Sequence, residues 1–467
     1  MTSVECMNAT KFDLVPDPRG GAMAIAPRTG RIIQPGEVLL RTAALTTSLV
    51  PKWKGKRCDW CCRRREELKA CSRCKNTFYC DSDCQAISWK SHHRKLCGIL
   101  AKGFHFSASY LGQSTEQKTN SDLLLNLYGS LLLHDEGRLS GKASESQRGI
   151  LDVELLQENA LMCFWALGPL QLGQSRPSPA LPKGLPSGHL ATLNAAWSRF
   201  DNNNFVLHNI SSLEPEAGAY AHGIFPLASR CFNHSCVPNA WPAFMLQDKT
   251  AWIEIRALDF IKEGQEITIP YLDPALPLIE RRNRLQQAYG FICDCPRCMI
   301  EGRMAHPSDP VPNESLLQEE LISYALPQLR IHDLRTTLEL LKSLPRHLWS
   351  IRNPDFIKHL TETFENQSHD GPYEDAWRSG KALLALCLIL YPRYHPLTGY
   401  YALELGKACW NAQVAENTES HWLQRLASIL DFAESSLQVA GAEEEDEIAS
   451  GILTVQKIRS LMESKYI

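Results

Sequence analysis

The sequence predicts an α+β chain in which short sheets are interrupted by a cysteine-rich metal-binding segment and a helical insert, followed by an all-helical C-terminal region. Three observations predict it. Period-two apolar alternation is concentrated in two separated stretches, 12–50 and 201–272; cysteines cluster at regular short spacings; and from residue 314 onward the apolar spacing is that of helices.

The first β-rich stretch contains RIIQPGEVLL, a Pro-Gly turn followed by an apolar strand. Residues 58–97 are rich in Cys and His and locally basic. From about 99 to 200 the pattern is helical, with Ser121 placed to cap DLLLNLYGSLLL and with LDVELLQENALMCFWAL at helical spacing. QSRPSPALPKGLPSG (174–188) reads as an exposed loop. Strand character returns in TAWIEIRAL and, after a Lys-Glu-Gly turn, in DFIKEGQEITIPY. RMAHPSDPVPN (303–313) reads as a linker, and Glu443–Glu447 as a solvated acidic loop. The segmentation is 1–57, 58–97, 98–200, 201–275, 276–303 and 304–467.

With 467 residues, 44% hydrophobic and 22% charged, the chain has material for several globular units. Lys and Arg number 49 against 52 Asp and Glu, so no global basic field points to nucleic acid. The longest apolar run, Ala382 to Leu390, is too short to cross a bilayer and reads as a buried helix. The start has no signal-peptide pattern, so a cytoplasmic or nuclear, monomeric protein without a membrane role is expected.

Seventeen cysteines in such a compartment favour metal over disulfides. Cys58-x2-Cys61, Cys71-x2-Cys74, Cys80-x3-Cys84 and His92-His93-x3-Cys97 supply seven thiolates and one imidazole, enough for two tetrahedral zinc ions. A segment this poor in apolar residues needs the metal to fold. It resembles a MYND zinc finger, including Tyr79 before Cys80 and Trp89 ahead of the histidines. The resemblance implies interleaved pairs: Cys58, Cys61, Cys80 and Cys84 on one ion, and Cys71, Cys74, a histidine and Cys97 on the other. Spacing to Trp89 favours His92, and spacing to Cys97 favours His93, which is the preferred ligand. Cys62 lies off the ligand spacing and reads as a free thiol. The surrounding Lys52, Lys54, Lys56, Arg57 and Arg63–Arg65 fit either charge compensation of a four-thiolate site or binding of DNA or an acidic partner. MYND modules more often bind peptides, which disfavours DNA.

The second cluster, Cys293-x-Cys295-x2-Cys298, offers three ligands where a structural zinc site needs four, and Cys236 is the natural fourth. Cys236 closes Asn233-His234-Ser235-Cys236, a polar group in an apolar neighbourhood that needs partners or a polar ligand. NHSCVPN, then GQEITIPY, then YGFICDCPRC resemble, in order and spacing, a SET domain and its post-SET tail. With the finger at 58–97 the chain is similar to the SET-and-MYND family, and YPRYHPLTGYYALELGKACW is similar to that family's tetratricopeptide-like region.

The resemblance implies a SET-type fold, S-adenosylmethionine as methyl donor, three zinc ions and a target lysine on a protein substrate. Position by position it implies cofactor contacts for Asn233 and His234, Tyr271 as the catalytic tyrosine that also borders the cofactor, Phe291 near the adenine, and Asn203 within NNNF as a further cofactor residue. The family's Gly-x-Gly element corresponds to Arg19-Gly20-Gly21-Ala22-Met23; Gly20 and Gly21 are the expected contacts, with Ala22 at the second glycine or the register shifted by one. The stretch from Pro226 to Asn233 is one residue longer than is common and holds Cys231, which reads as a small buried apolar residue. Three functions fit these features: a protein-lysine methyltransferase, a catalytically silent adaptor binding peptides through the finger and C-terminal helices, and a zinc-finger DNA regulator.

Overall fold

A computed structural model describes residues 12–17, 22–27, 29–134, 160–168, 178–183, 185–200, 203–208, 218–304, 314–416, 421–441 and 447–466. The expected linker after residue 304, most of the acidic stretch before Glu447, and Gly20 and Gly21 lie outside these residues.

The β-rich part is a set of small sheets. β1 (Asp13–Pro16) pairs antiparallel with β2 (Ala22–Ile25). The Pro35-Gly36 turn leads into β3 (Val38–Ala43), and β4 (Thr46–Leu49) follows. β5 (Lys69–Ala70) and β6 (Phe78–Tyr79) form a two-stranded ribbon in the finger. β7 (Asn204–His208) and β8 (Ala219–Ile224) complete a sheet in the order β4-β8-β7. β9 (Asn233–His234) is followed by β10 (Ala240–Gln247) and β11 (Thr250–Ala257), which form the sheet β10-β11-β3. β12 (Thr268–Ile269) runs parallel to β9. The expected strand over DFIKEGQEITIPY is realised only as β12 and the bridges Ile33↔Ile261 and Ile25↔Glu266. The intervening turn takes Gly264 to φ 68°, which ends any continuous ladder.

The finger ends in a continuous helical stretch: Ser82–Ser88, a π-turn at Trp89–His93, then Arg94–Ala101. Asp81 caps its start by accepting from Cys84 N. The π-turn packs against the Thr115–His134 helix at Gly129, where a Cβ would meet the His92 carbonyl at 2.8 Å. That helix starts earlier than the Ser121 cap predicts. Ser114 and Gln117 exchange side-chain and backbone bonds, Gln117 N to Ser114 Oγ at 3.2 Å and Ser114 N to Gln117 Oε1 at 2.9 Å, which is the reciprocal cap of a helix start. Ser121 instead sits within the helix and bonds Gln113 and Ala180 N. Of the expected loop over 174–188, the described residues 178–183 and 185–186 are irregular, and the Ser187–Phe200 helix begins at its end.

The C-terminal region is helical, including Tyr373–Leu390, Pro396–Glu416 and His421–Ala440. The apolar run 382–390 is buried throughout. This region packs on the β10-β11-β3 sheet: Trp241 meets the His395 ring edge-on at 4.5 Å, and Arg393 pairs with Asp259 at 2.9 Å. Among the described residues no helix is long and apolar enough to cross a membrane.

Candidate functional site: three cysteine groups and an aromatic cluster

Three groups of four side chains converge. They are Cys58, Cys61, Cys80 and Cys84; Cys71, Cys74, His93 and Cys97; and Cys236, Cys293, Cys295 and Cys298, with ligand atoms in each group within 4.8 Å of one another. A tetrahedron of thiolates about zinc has edges of about 3.8 Å. The measured sulfur separations, 3.6 Å for Cys61–Cys80, 3.8 Å for Cys71–Cys97 and 3.6 Å for Cys236–Cys298, match it. The three groups therefore fit three zinc ions.

His93 Nε2 lies 3.4 Å from Cys71 Sγ and 3.6 Å from Cys74 Sγ, whereas His92 turns away and stacks on Trp60. Burial lowers the His93 imidazole to about 4, so it is neutral, as a metal ligand must be. Cys62 belongs to no group. Burial pushes its thiol up to about 12, and its Sγ faces Thr47 in the SET-side core. The basic residues near the finger are largely engaged. Lys54 pairs with Asp59 at 2.9 Å, Arg57 is buried and donates to the Cys62 carbonyl, and Arg63 donates to the Leu246 carbonyl of β10.

The residues expected at the cofactor site gather where β9 and β12 run side by side. Asn239 holds this crossing from both sides: Nδ2 donates to the Glu266 carbonyl and Oδ1 accepts from Thr268 N, both at 2.9 Å. Asn233 Nδ2 donates to Asp17 at 2.6 Å and to Glu266 Oε1 at 2.9 Å. His234 is buried; its Nδ1 accepts from Tyr271 N at 3.0 Å, which leaves Nε2–H to donate toward Cys236 Sγ at 3.2 Å. Burial lowers this imidazole to about 4 and keeps it neutral. The ring thus ties the pocket backbone to the third cysteine group, a link that the sequence reading of His234 as a cofactor contact does not contain.

The Tyr271 hydroxyl donates to the Phe232 carbonyl at 2.7 Å. Its ring lies 5.3 Å from His234 and 4.8 Å from Tyr289, and Phe291 closes the set at 6.2 Å from His234 and 6.3 Å from Tyr289. Tyr289 ends the Leu278–Tyr289 helix, just before Gly290 at φ 78° turns the chain toward Phe291. Sequence reasoning quoted YGF but assigned only Phe291. Asn203 bonds the Arg199 carbonyl through its side chain at 2.5 Å, and its own carbonyl accepts from Ser229 of the Pro226–Cys231 helix that leads into β9. Ala22 opens β2 opposite Pro16, an extended position that any L-residue occupies without strain. Cys231 ends the Pro226–Cys231 helix, fully buried, with its thiol pushed up to about 12.

A SET domain family model matches residues 28–272, just over half of the chain. This chain belongs to the SET-domain family, in its SET-and-MYND branch. It is 28% identical over 302 residues to the N-lysine methyltransferase SMYD2 of Gallus gallus, covering 62% of each chain. It is 26% identical over 309 residues to SMYD2 of Homo sapiens, covering 63% of this chain and 64% of that one. It is also 24% identical over 419 residues to the histone-lysine N-methyltransferase SMYD3 of Mus musculus, covering 86% and 88%. The matched part thus spans less than two thirds of the SMYD2 relatives and most of the SMYD3 relative.

Proposed function

We propose that this chain is an S-adenosylmethionine-dependent protein-lysine N-methyltransferase of the SET type. The observation that carries the reading is the setting of Tyr271. Its hydroxyl proton is committed to the Phe232 carbonyl, which leaves the phenol oxygen to act as an acceptor, and its ring packs in a cluster with His234, Tyr289 and Phe291 that we take as the wall of the methyl-transfer pocket. An oxygen so held accepts an N–H of an arriving amine and aims the amine's lone pair. The amine must be neutral, against an ordinary lysine pKa of about 10.4, and aromatic walls that exclude water disfavour its charged form. Alignment then supplies most of the rate, with no strong base required.

The acceptor chemistry around Asn233 fits a cationic cofactor, because the Asp17 and Glu266 carboxylates meet on the Asn233 amide. When bound, S-adenosylmethionine supplies an electrophilic methyl group on a positively charged sulfonium. We assign its contacts to Asn233, His234, Tyr271 and Phe291, with Gly20, Gly21 and Asn203 as further contacts, and the catalytic role to Tyr271. The three cysteine groups are assigned as zinc ligands, with His93 rather than His92 in the second.

The substrate is a protein lysine, in a histone as named for the mouse SMYD3 relative or in another protein, and the finger is available to peptide ligands. We propose residence in cytoplasm or nucleus, as expected from the sequence. Titration calorimetry of the zinc-loaded full chain with S-adenosylmethionine tests the reading: saturable binding that Asn233→Ala weakens supports it, and the absence of binding overturns it.

A further inference from the structure

Behind the third cysteine group lie three buried charges that the catalytic reading does not use. The side chains of Arg281, Arg297 and Glu301 are 1–2% exposed. Arg281 donates from Nε to Cys236 Sγ at 3.2 Å and points Nη2 at Cys298 Sγ at 3.7 Å, while Nη1 holds the carbonyls of Pro274 and Leu276. Glu301 accepts from Arg281 Nη2 at 2.5 Å and from Arg297 Nε at 2.8 Å. Arg297 Nη1 reaches the Leu390 carbonyl at 2.5 Å and the Cys236 carbonyl at 3.4 Å. Burial opposes the Glu301 charge, yet Arg297 and Arg281 outweigh it and hold the carboxyl below its usual range.

These bonds join parts of the molecule that are distant in sequence. Leu390 is the last residue of the Tyr373–Leu390 helix, so its carbonyl is one of the acceptors that a helix end leaves unpaired. A guanidinium there both satisfies it and complements the negative end of the helix dipole. Cys236 follows β9 of the pocket. Arg281 belongs to the same helix as Tyr289, and the neighbouring Arg282 donates to the Cys293 carbonyl at 3.2 Å. Tyr289, Gly290 and Phe291 are therefore the span between an Arg281-anchored helix and an anchored cysteine. A buried ion pair kept for stability alone would be matched or bettered by apolar residues. Two guanidiniums sharing one carboxylate, two sulfurs and a carbonyl of the C-terminal region instead have the connectivity of a clamp, and only the fork of arginine makes those bonds together.

We infer that Arg297 is a positioning residue through which the C-terminal helices hold the third metal group, and with it the Tyr289–Phe291 wall, in register with Tyr271. The inference rests on the reading of that group as zinc-binding and of the wall as part of the methyl-transfer pocket.

The test compares zinc release to a chelating dye, and S-adenosylmethionine affinity by calorimetry, between the zinc-loaded full chain and Arg297→Met. One ion of the three is expected to leave about tenfold faster while the two finger ions keep their rates, and cofactor affinity falls about tenfold, the usual scale for a group that orients metal ligands. The KM for cofactor rises more than kcat falls. Glu301→Gln, nearly isosteric, reproduces the pattern and stands in should Arg297→Met not fold; Arg297→Lys, which keeps the charge without the fork, recovers only part of the loss. Release at wild-type rates with cofactor affinity within about twofold of wild type overturns the clamp, as does uniform acceleration of all three ions, the mark of general destabilisation. If the wild-type chain binds no S-adenosylmethionine, the methyltransferase reading fails by itself, and the selective release of one ion still decides the clamp.

Discussion

The finger and the third cysteine group use the same ligands in opposite ways. The finger draws all its ligands from between residues 58 and 97, whereas the third group joins Cys236 to Cys293–Cys298 across more than fifty residues. Two of the cations beside the finger bond to other groups: Lys54 to Asp59 and Asp122, Arg63 to a β10 carbonyl. At the third group a buried guanidinium, that of Arg281, touches two of the sulfurs directly. All three groups are buried alike, so the difference lies in connectivity: a site whose ligands are all local closes on itself, while one that joins distant segments draws in a buried counter-charge and is tied to the rest of the fold.

The largest expected effect lies on the pocket side of this contrast. Tyr271→Phe removes the oxygen proposed to receive the amine, and methyl transfer is expected to fall about 10²–10³-fold with cofactor affinity retained, as read by single-turnover rates and calorimetry. Next, Cys236→Ser should leave two of three zinc ions by mass spectrometry and abolish cofactor binding, whereas Cys84→Ser should also cost one ion but leave cofactor affinity within about threefold. Equal losses of affinity in the two variants would break the contrast. Within the finger, His93→Ala is expected to lose one ion and several degrees of Tm, while His92→Ala retains all three, as counted by zinc content.

The smallest effect is on stability against pH. Burial lowers His222 to about 4 and His395 to about 3, from an ordinary 6.5. As pH falls below 6.5 the unfolded imidazoles take up protons before the folded ones, so this stability is complete above pH 6.5 and drains away toward pH 4. Urea midpoints should fall across that window, and His395→Phe, which keeps a ring against Trp241, should flatten the slope. A midpoint unchanged between pH 7 and 5 would contradict it.

The contrast also explains what was legible in the sequence. The finger's ligand pairs are readable because a local metal site writes its geometry into spacing, and the x3 step to Cys97 favours the histidine that the π-turn delivers. Cys236 is inferable from the count of three ligands where four are needed. Arg281, Arg297 and Glu301 are not readable, since charged residues at these spacings look like a solvated helix face until the fold buries them. The only trace is Arg297 lying between Cys295 and Cys298. Tyr289 escaped because its role depends on the Gly290 turn and on a ring 4.8 Å away from another element. The Thr115–His134 helix of the insert was placed late because Ser121 is as good a cap residue as Ser114, and only the partner Gln117 separates them.

The central claim is that the ring-walled pocket around Tyr271 transfers a methyl group to a protein lysine. The direct measurement is a screen of peptide and proteome arrays with isotopically labelled S-adenosylmethionine, using the zinc-loaded full chain beside Tyr271→Phe. The account predicts label on lysine side chains that the variant loses while still binding cofactor. Lysine labelling of equal strength from both proteins, or cofactor bound with no lysine labelled by either, would contradict it.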